Sequence, residues 1–174
     1  MRIAKTSRWS LVACSLVACS PALDWRDVQP TVSGAAALFP CKPDRFARMV
    51  TLAGTKVQMV LASCSAAGTT YALSHAELDD PAKVAAALSE LRAAAARNIG
   101  GAPHDARPFT VSGMTPNPLA ERLAIEGRRA DGHAVHEQAA FFARGMRVYQ
   151  ATVVGERIDP EAADTFFAGL KLPS

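Results

Sequence analysis

Aromatic residues make up only 6% of this 174-residue chain: two tryptophans, two tyrosines and seven phenylalanines. So thin a supply argues against an aromatic-lined binding groove and suits a compact, alanine-rich domain. No apolar run approaches the roughly 20 residues that a membrane-spanning helix needs. A Gly-x-Ser-x-Gly nucleophile motif is missing, because in Thr110-Val111-Ser112-Gly113-Met114 both framing glycines are replaced. Nor does a glycine-rich loop precede a helix to cradle phosphate; Asn98-Ile99-Gly100-Gly101 follows one instead. There is no internal repeat and no second composition regime, so a single domain is expected.

What is present starts at the N-terminus. Arg2, Lys5 and Arg8 stand before any acid, and Trp9 to Ala18 is almost wholly apolar or small. A basic segment, a short apolar core and small residues before a cut describe a bacterial export signal. Leu-Val-Ala-Cys occurs twice, ending at Cys14 and at Cys19. It resembles the lipobox of bacterial lipoproteins, whose cysteine receives a diacylglyceryl group and becomes the new N-terminus. A cut before Cys14 would leave only Trp9 to Ala13 as apolar core, below the roughly 7–15 residues a signal uses. Cys19 is therefore the expected lipidation site, with an ordinary secretory signal as the alternative. Ser20 after it resembles the default sorting to the outer rather than the inner membrane. Residues 1–18 read as the signal, 19–33 as a lipidated tether in which Trp25 and Val28 can pack back, and 34–174 as the domain.

Removing residues 1–18 leaves 156 residues, enough to bury one core. Three of the 19 basic residues and none of the 16 acids leave with the signal, so the remainder carries 16 of each. A balanced charge, with Arg128-Arg129 the one adjacent basic pair, gives no support to nucleic-acid binding.

Along the domain, Ala35 to Phe39 reads as a first strand stopped by Pro40 and Pro43. Phe46 to Thr51 and Val57 to Leu61 alternate with period two around Ala53-Gly54-Thr55, which is a hairpin signal. A further strand, Thr69 to Leu78, follows Ala66-Ala67-Gly68. Then the period changes. Asp80 caps, Pro81 opens a helix, and Val84, Leu88, Leu91 and Ala95 share one face until Asn98-Ile99-Gly100-Gly101 ends it. Arg107 to Gly113 offers a short strand before a proline-rich bend. A second meander turns at Ala130-Asp131-Gly132 and at Arg144-Gly145-Met146. Asp159 and Pro160 open a last helix burying Ala163, Phe166, Phe167 and Leu170. The expected fold is α+β: an antiparallel sheet from two β-meanders with two helices packed on it.

Cys41 and Cys64 remain after processing, and in an oxidising periplasm pairing is the default. The bridge would close a loop of about 24 residues and contribute roughly 3 kcal/mol on the chain-entropy account. Strands two apart in a sheet sit nearly 10 Å from each other, beyond disulfide reach, so the Pro40–Pro43 turn would have to fold across a strand. Two separate buried thiols are the alternative.

Candidate chemistry is scarce. His133 and His136, with Glu137 beside them, lie three apart on a strand and point to opposite faces, and the order does not match a helical His-Glu-x-x-His zinc motif. Two polar strand positions describe them better. His75 reads as a satisfied histidine on a sheet face and His104 as a solvated loop residue. Ser63 and Ser65 flank Cys64 with no evident base. Met49, Met59, Met114 and Met146 lack the clustering of a copper site. No catalytic residue, metal or cofactor is expected.

The phrases from Phe39-Pro40-Cys41-Lys42-Pro43 through Cys64, Tyr71 to Leu78, Arg122 to Glu156 and Asp164 to Leu172 resemble small exported bacterial domains of the PsbP-like fold. Its most specific marks are Phe39-Pro40 with Pro43, the Gly145 hairpin leading to Tyr149-Gln150, and Phe166-Phe167 in the last helix. The resemblance implies a PsbP-like α/β sandwich over Gly34 to Leu172 and a leaning toward non-enzymatic binding and assembly. It transfers no functional residue, and Cys41 and Cys64 look like a subfamily addition. The expected function is thus a non-enzymatic, lipid-anchored envelope protein facing the periplasm. It would bind, or help assemble, an envelope protein partner. The alternative is a periplasmic lipoprotein binding a small ligand between the sheet and the first helix.

Overall fold

The computed structural model describes residues 23–29, 34–129 and 131–172. Among them, strands β1 (Arg26–Val28), β2 (Ala37–Phe39), β3 (Asp44–Leu52), β4 (Thr55–Ala66) and β5 (Thr69–Glu77) lead into helix α1 (Val84–Ile99). Strands β6 (Ala102–Pro108), β7 (Glu121–Arg128), β8 (Ala134–Arg144) and β9 (Arg147–Gly155) precede helix α2 (Pro160–Ala168). Strands β3 to β9 make one seven-stranded sheet in the order β3-β4-β5-β9-β8-β7-β6, every pair antiparallel. The two meanders join at its centre, where β5 pairs with β9 from Thr69↔Gly155 to Glu77↔Arg147.

Local chemistry accounts for most boundaries. The β3–β4 and β4–β5 hairpins turn through Ala53-Gly54 and Ala67-Gly68, where both residues of each pair have positive φ. That is the type I′ geometry whose twist suits a two-residue hairpin. The Asp80 carboxylate accepts from the Ala82 amide at 2.8 Å over a short 3₁₀ turn, Pro81–Lys83, that feeds α1. Asp159 caps α2 in the same way through Glu161 at 3.0 Å. α1 ends on Gly100 in the left-handed region, with the Gly101 amide bonded back to the Ala96 carbonyl at 3.0 Å.

Each helix covers one face of the sheet. Val84, Leu88, Leu91 and Ala95 of α1 pack with Ala76, Val148, Ala139 and Phe141. Phe166 and Phe167 of α2 pack with Tyr71, Leu73, Phe142 and Tyr149 on the opposite face. Neighbours such as Phe141 and Phe142, or Val148 and Tyr149, divide between the two cores as a period of two requires.

The structure departs from the sequence-based expectation in three places. Ala37–Phe39 does not open the first meander; it pairs with Arg26–Val28 as a two-stranded ribbon outside the main sheet. Half of that ribbon comes from the stretch read as a tether. The run is only three residues long, and Pro40 and Pro43 deny it the amide donors that a longer ladder needs. The β1–β2 ribbon instead shields the α2 core: Phe39 is fully buried, 5.4 Å from the Phe166 ring. Third, the short strand expected over Arg107–Gly113 lies earlier, as β6 from Ala102 to Pro108, and so takes in His104, which was expected in a loop. That strand was hidden by Pro103, Pro108 and a pairing irregularity between His104 and Arg107, where Asp105 takes positive φ.

The displaced ribbon also removes the geometric objection to the disulfide. The chain passes from β2 through Cys41 directly into β3, whose Asp44 pairs with Ser63. Cys41 therefore meets Cys64 without crossing a strand, and the two are bridged with a Cα–Cα distance of 6.0 Å.

Candidate functional site

A seven-stranded sheet is about 29 Å wide, and one helix covers about 10 Å of it. The α2 face is closed by the helix, the β1–β2 ribbon and Trp25, which meets Tyr71 edge-on at 6.2 Å. The opposite face has α1 alone. Burial along the central strands records the difference: Tyr71, Leu73, Tyr149, Ala151 and Val153 are buried toward α2. Their neighbours Ala72, Ser74, Gln150, Thr152 and Val154 are only half-buried toward α1.

The uncovered part is a groove of about 710 Å³ between α1 and the curled β3–β4 hairpin. That volume lies within the range of small-molecule sites, roughly 300–1,000 Å³. One wall is Leu91, Ala94 and Ile99 of α1; the other is Phe46, Met59 and Leu61. The floor is polar at Ser74, Gln150, Thr152 and Glu137. The Gln150 amide donates to the Thr152 hydroxyl at 3.2 Å, and the Ser74 hydroxyl donates to the Gln150 carbonyl at 3.4 Å. Arg48, Arg97 and Glu90 stand at the rim, where a Glu90 oxygen accepts from the Ala53 amide at 2.8 Å and ties the helix to the hairpin.

Glu137 is the unusual member. It is 5% exposed, in phase with Ala139 and Phe141 on the α1 side of β8. Its cross-strand neighbours are Ile125 and Val154, neither of which has a side-chain donor. Its carboxyl has no hydrogen-bond or ion-pair partner among the described residues. No fully buried side-chain oxygen lacks a partner there either, so the carboxyl keeps some accessible surface. Glu137 borders both the α1 groove and a shallower pocket beside His136. Burial pushes its pKa up to about 7, because the charged form loses hydration that nothing replaces.

The structure brings His104 and His136 together at Glu126, 3.9 and 3.8 Å from its carboxylate, and disperses the other residues singled out by sequence. His133 precedes β8 and faces Glu156 at 3.8 Å, whereas His136 faces Glu126 at 3.8 Å. His136 and Glu137 leave β8 on opposite sides. His104 bonds Asp105 at 3.0 Å. His75 is buried beside Tyr149, its ring 6.1 Å away, and burial, with Arg147 nearby, lowers its pKa. The Ser65 hydroxyl bonds Thr70 at 2.8 Å, and no serine among the described residues hydrogen-bonds a histidine. No group of three or more His, Cys, Asp or Glu residues gathers as metal ligands among the described residues. No helix among them is long and apolar enough to cross a membrane. Cys19 lies outside the described residues.

The sequence reading named Glu137 only as a neighbour of the two histidines. The signal that could have found it is its phase: it alternates with Val135, Ala139 and Phe141, positions that an amphipathic strand reserves for its apolar side.

The fold and groove define an α+β domain built around an open, mixed-polarity cleft. No protein-family model matches the chain and no curated protein matches it, so no catalytic function follows from relatedness.

Proposed function

We propose that this protein is a non-enzymatic binding domain of the PsbP-like kind, held at the bacterial envelope by a lipid on Cys19 and taking a small ligand in the α1 groove. The observation that carries the reading is the half-open face of the sheet: a cleft of about 710 Å³ with apolar walls and a few converging polar groups. That combination is the common form of a ligand site. The lipobox at Cys19, the PsbP-like phrases and the Cys41–Cys64 bridge support an exported, envelope-facing setting.

Thermal shift against a panel of periplasmic metabolites, run on the protein and on Ala94→Trp, tests the site. Ala94 is half-buried on the α1 wall, so an indole there fills the cleft. A ligand should raise the Tm of the unmodified protein and leave that of A94W unchanged. A panel without a hit, or hits that persist in A94W, would remove the groove from consideration.

A second reading, docking of an envelope protein partner, draws on the β3 edge of the sheet. Phe46 and Met49 there are 59% and 63% exposed on opposite faces. Exposed apolar residues on an edge strand suit strand-to-strand docking. Crosslinking in intact cells, comparing the protein with a Cys19→Ala form behind a cleavable signal, should then yield one dominant partner that disappears with the anchor.

A further inference from the structure

We propose that the groove takes a small organic amine, its ammonium held by Glu137 beneath the carbonyl end of α1 and its apolar body running between Leu91 and Leu61. This rests on the reading of the groove as a ligand site and names the chemistry of what enters it.

The argument begins from a carboxyl that is buried without a partner. Acids are seldom buried unless a cation or several donors meet them. Here Ile125 and Val154 flank Glu137 on the neighbouring strands. Arg97, on the same groove, makes no ion pair with it, and Arg48 sits on the far wall, on β3. An apolar side chain like those of its neighbours Ile125 and Val154 would be the ordinary occupant of such a position. Glu137 also borders a shallower pocket beside His104 and His136. The apolar walls that could hold a ligand's body belong to the α1 groove, so the missing partner is a donor that arrives from there.

The sign of that donor follows from α1. Its last turn lies against β7: a Cβ built on Gly127 would be 1.9 Å from the Ile99 carbonyl oxygen. Ile125 and Gly127 lie across from Glu137 and Val135. Ile99 lines the groove together with Glu137. A helix C-terminus carries partial negative charge, offset in part here by Arg97 of the same turn, and together with the Glu137 carboxylate it favours a cation over a neutral donor. With its pKa near 7, Glu137 is also easily ionised once an ammonium approaches. The walls supply the rest: Leu91, Ala94 and Ile99 face Phe46, Met59 and Leu61 across the polar floor. An aliphatic body fits between those walls, with Arg48 and Arg97 at the mouth.

The test compares hexylamine, hexanol and hexanoate on the full chain at pH 8, by calorimetry and by amide chemical shifts of Ser74, Ala94 and Thr152. Hexylamine should bind at least about tenfold more tightly than hexanol, the difference expected of a charge-assisted bond. Glu137→Gln should weaken the amine by at least about tenfold and leave hexanol within about twofold. If all three probes bind equally and E137Q changes nothing, the amine assignment fails while the groove stands. Preference for hexanoate, abolished by Arg97→Gln, also overturns it and moves recognition to the rim. If no probe shifts the groove amides, both the amine assignment and the groove reading fall.

Discussion

Replacing Glu137 by glutamine should make the protein more stable at alkaline pH, by an amount fixed by the displaced titration. The native carboxyl titrates at about 7 against an ordinary value of 4.5. At 1.36 kcal/mol per unit, that difference corresponds to about 3 kcal/mol, a large part of the roughly 5–15 kcal/mol of a typical domain. The sign follows from proton counting. Between pH 4.5 and 7 the native state holds a proton that the unfolded state has released, so stability falls as pH rises through this window. Below 4.5 both states are protonated and the penalty vanishes. Glutamine keeps the shape and has no charge to desolvate. Urea unfolding of the wild type and E137Q, disulfide intact, should coincide near pH 4 and diverge to about 3 kcal/mol in favour of E137Q by pH 8. Taking the difference between the two proteins cancels the opposite slope from His75, whose lowered pKa adds stability as pH rises. A difference that stays flat across this range would refute the reasoning, and a less stable E137Q at pH 8 would mean that a donor inside the fold already serves the carboxylate.

Gly127→Ala should cost about 2–3 kcal/mol in urea unfolding, because the new Cβ meets the Ile99 carbonyl at 1.9 Å and must push the end of α1 off β7. The Cys41→Ser/Cys64→Ser double variant should lose roughly 3 kcal/mol. Alkylation of the denatured wild-type protein should find these two thiols free after reduction and blocked before it. Cys19→Ala should leave the protein unacylated, and the same variant behind a cleavable secretory signal should move from the membrane to the soluble fraction on cell fractionation.

Where the chain's local chemistry acts alone, its structure was legible from sequence. Asp80-Pro81 and Asp159-Pro160 start helices, Gly100 stops one, and the Ala-Gly pairs turn hairpins, because caps and positive-φ positions need only neighbouring residues. The buried faces of both helices, Val84–Leu88–Leu91–Ala95 and Ala163–Phe166–Phe167, followed from period alone. What required long-range partners was less legible. Ala37–Phe39 is apolar enough for any strand, and only Arg26–Val28 as its partner removes it from the main sheet. The groove was anticipated as a place, between sheet and first helix, but not as chemistry. Its floor unites β5, β8 and β9, whose adjacency depends on the central β5–β9 pairing. Glu137 is marked by its phase on the strand, in step with the buried Val135, Ala139 and Phe141, and not by its side-chain type or by the histidines beside it.

That central pairing has a consequence for how the chain is made. β5 is buried on one face and half-buried on the other, and its outer edge is satisfied by β9, which begins 70 residues after the last residue of β5. A chain that emerges from its N-terminus completes β3, β4 and β5 while that edge still has nothing to pair with. For the time needed to deliver α1 and four more strands, a row of free amides and carbonyls beside Tyr71 and Leu73 is open to any extended segment that passes. The last strand therefore acts as a folding latch. Truncations or stalls before Arg147 should yield a sticky half-sheet that aggregates, rather than a smaller stable domain.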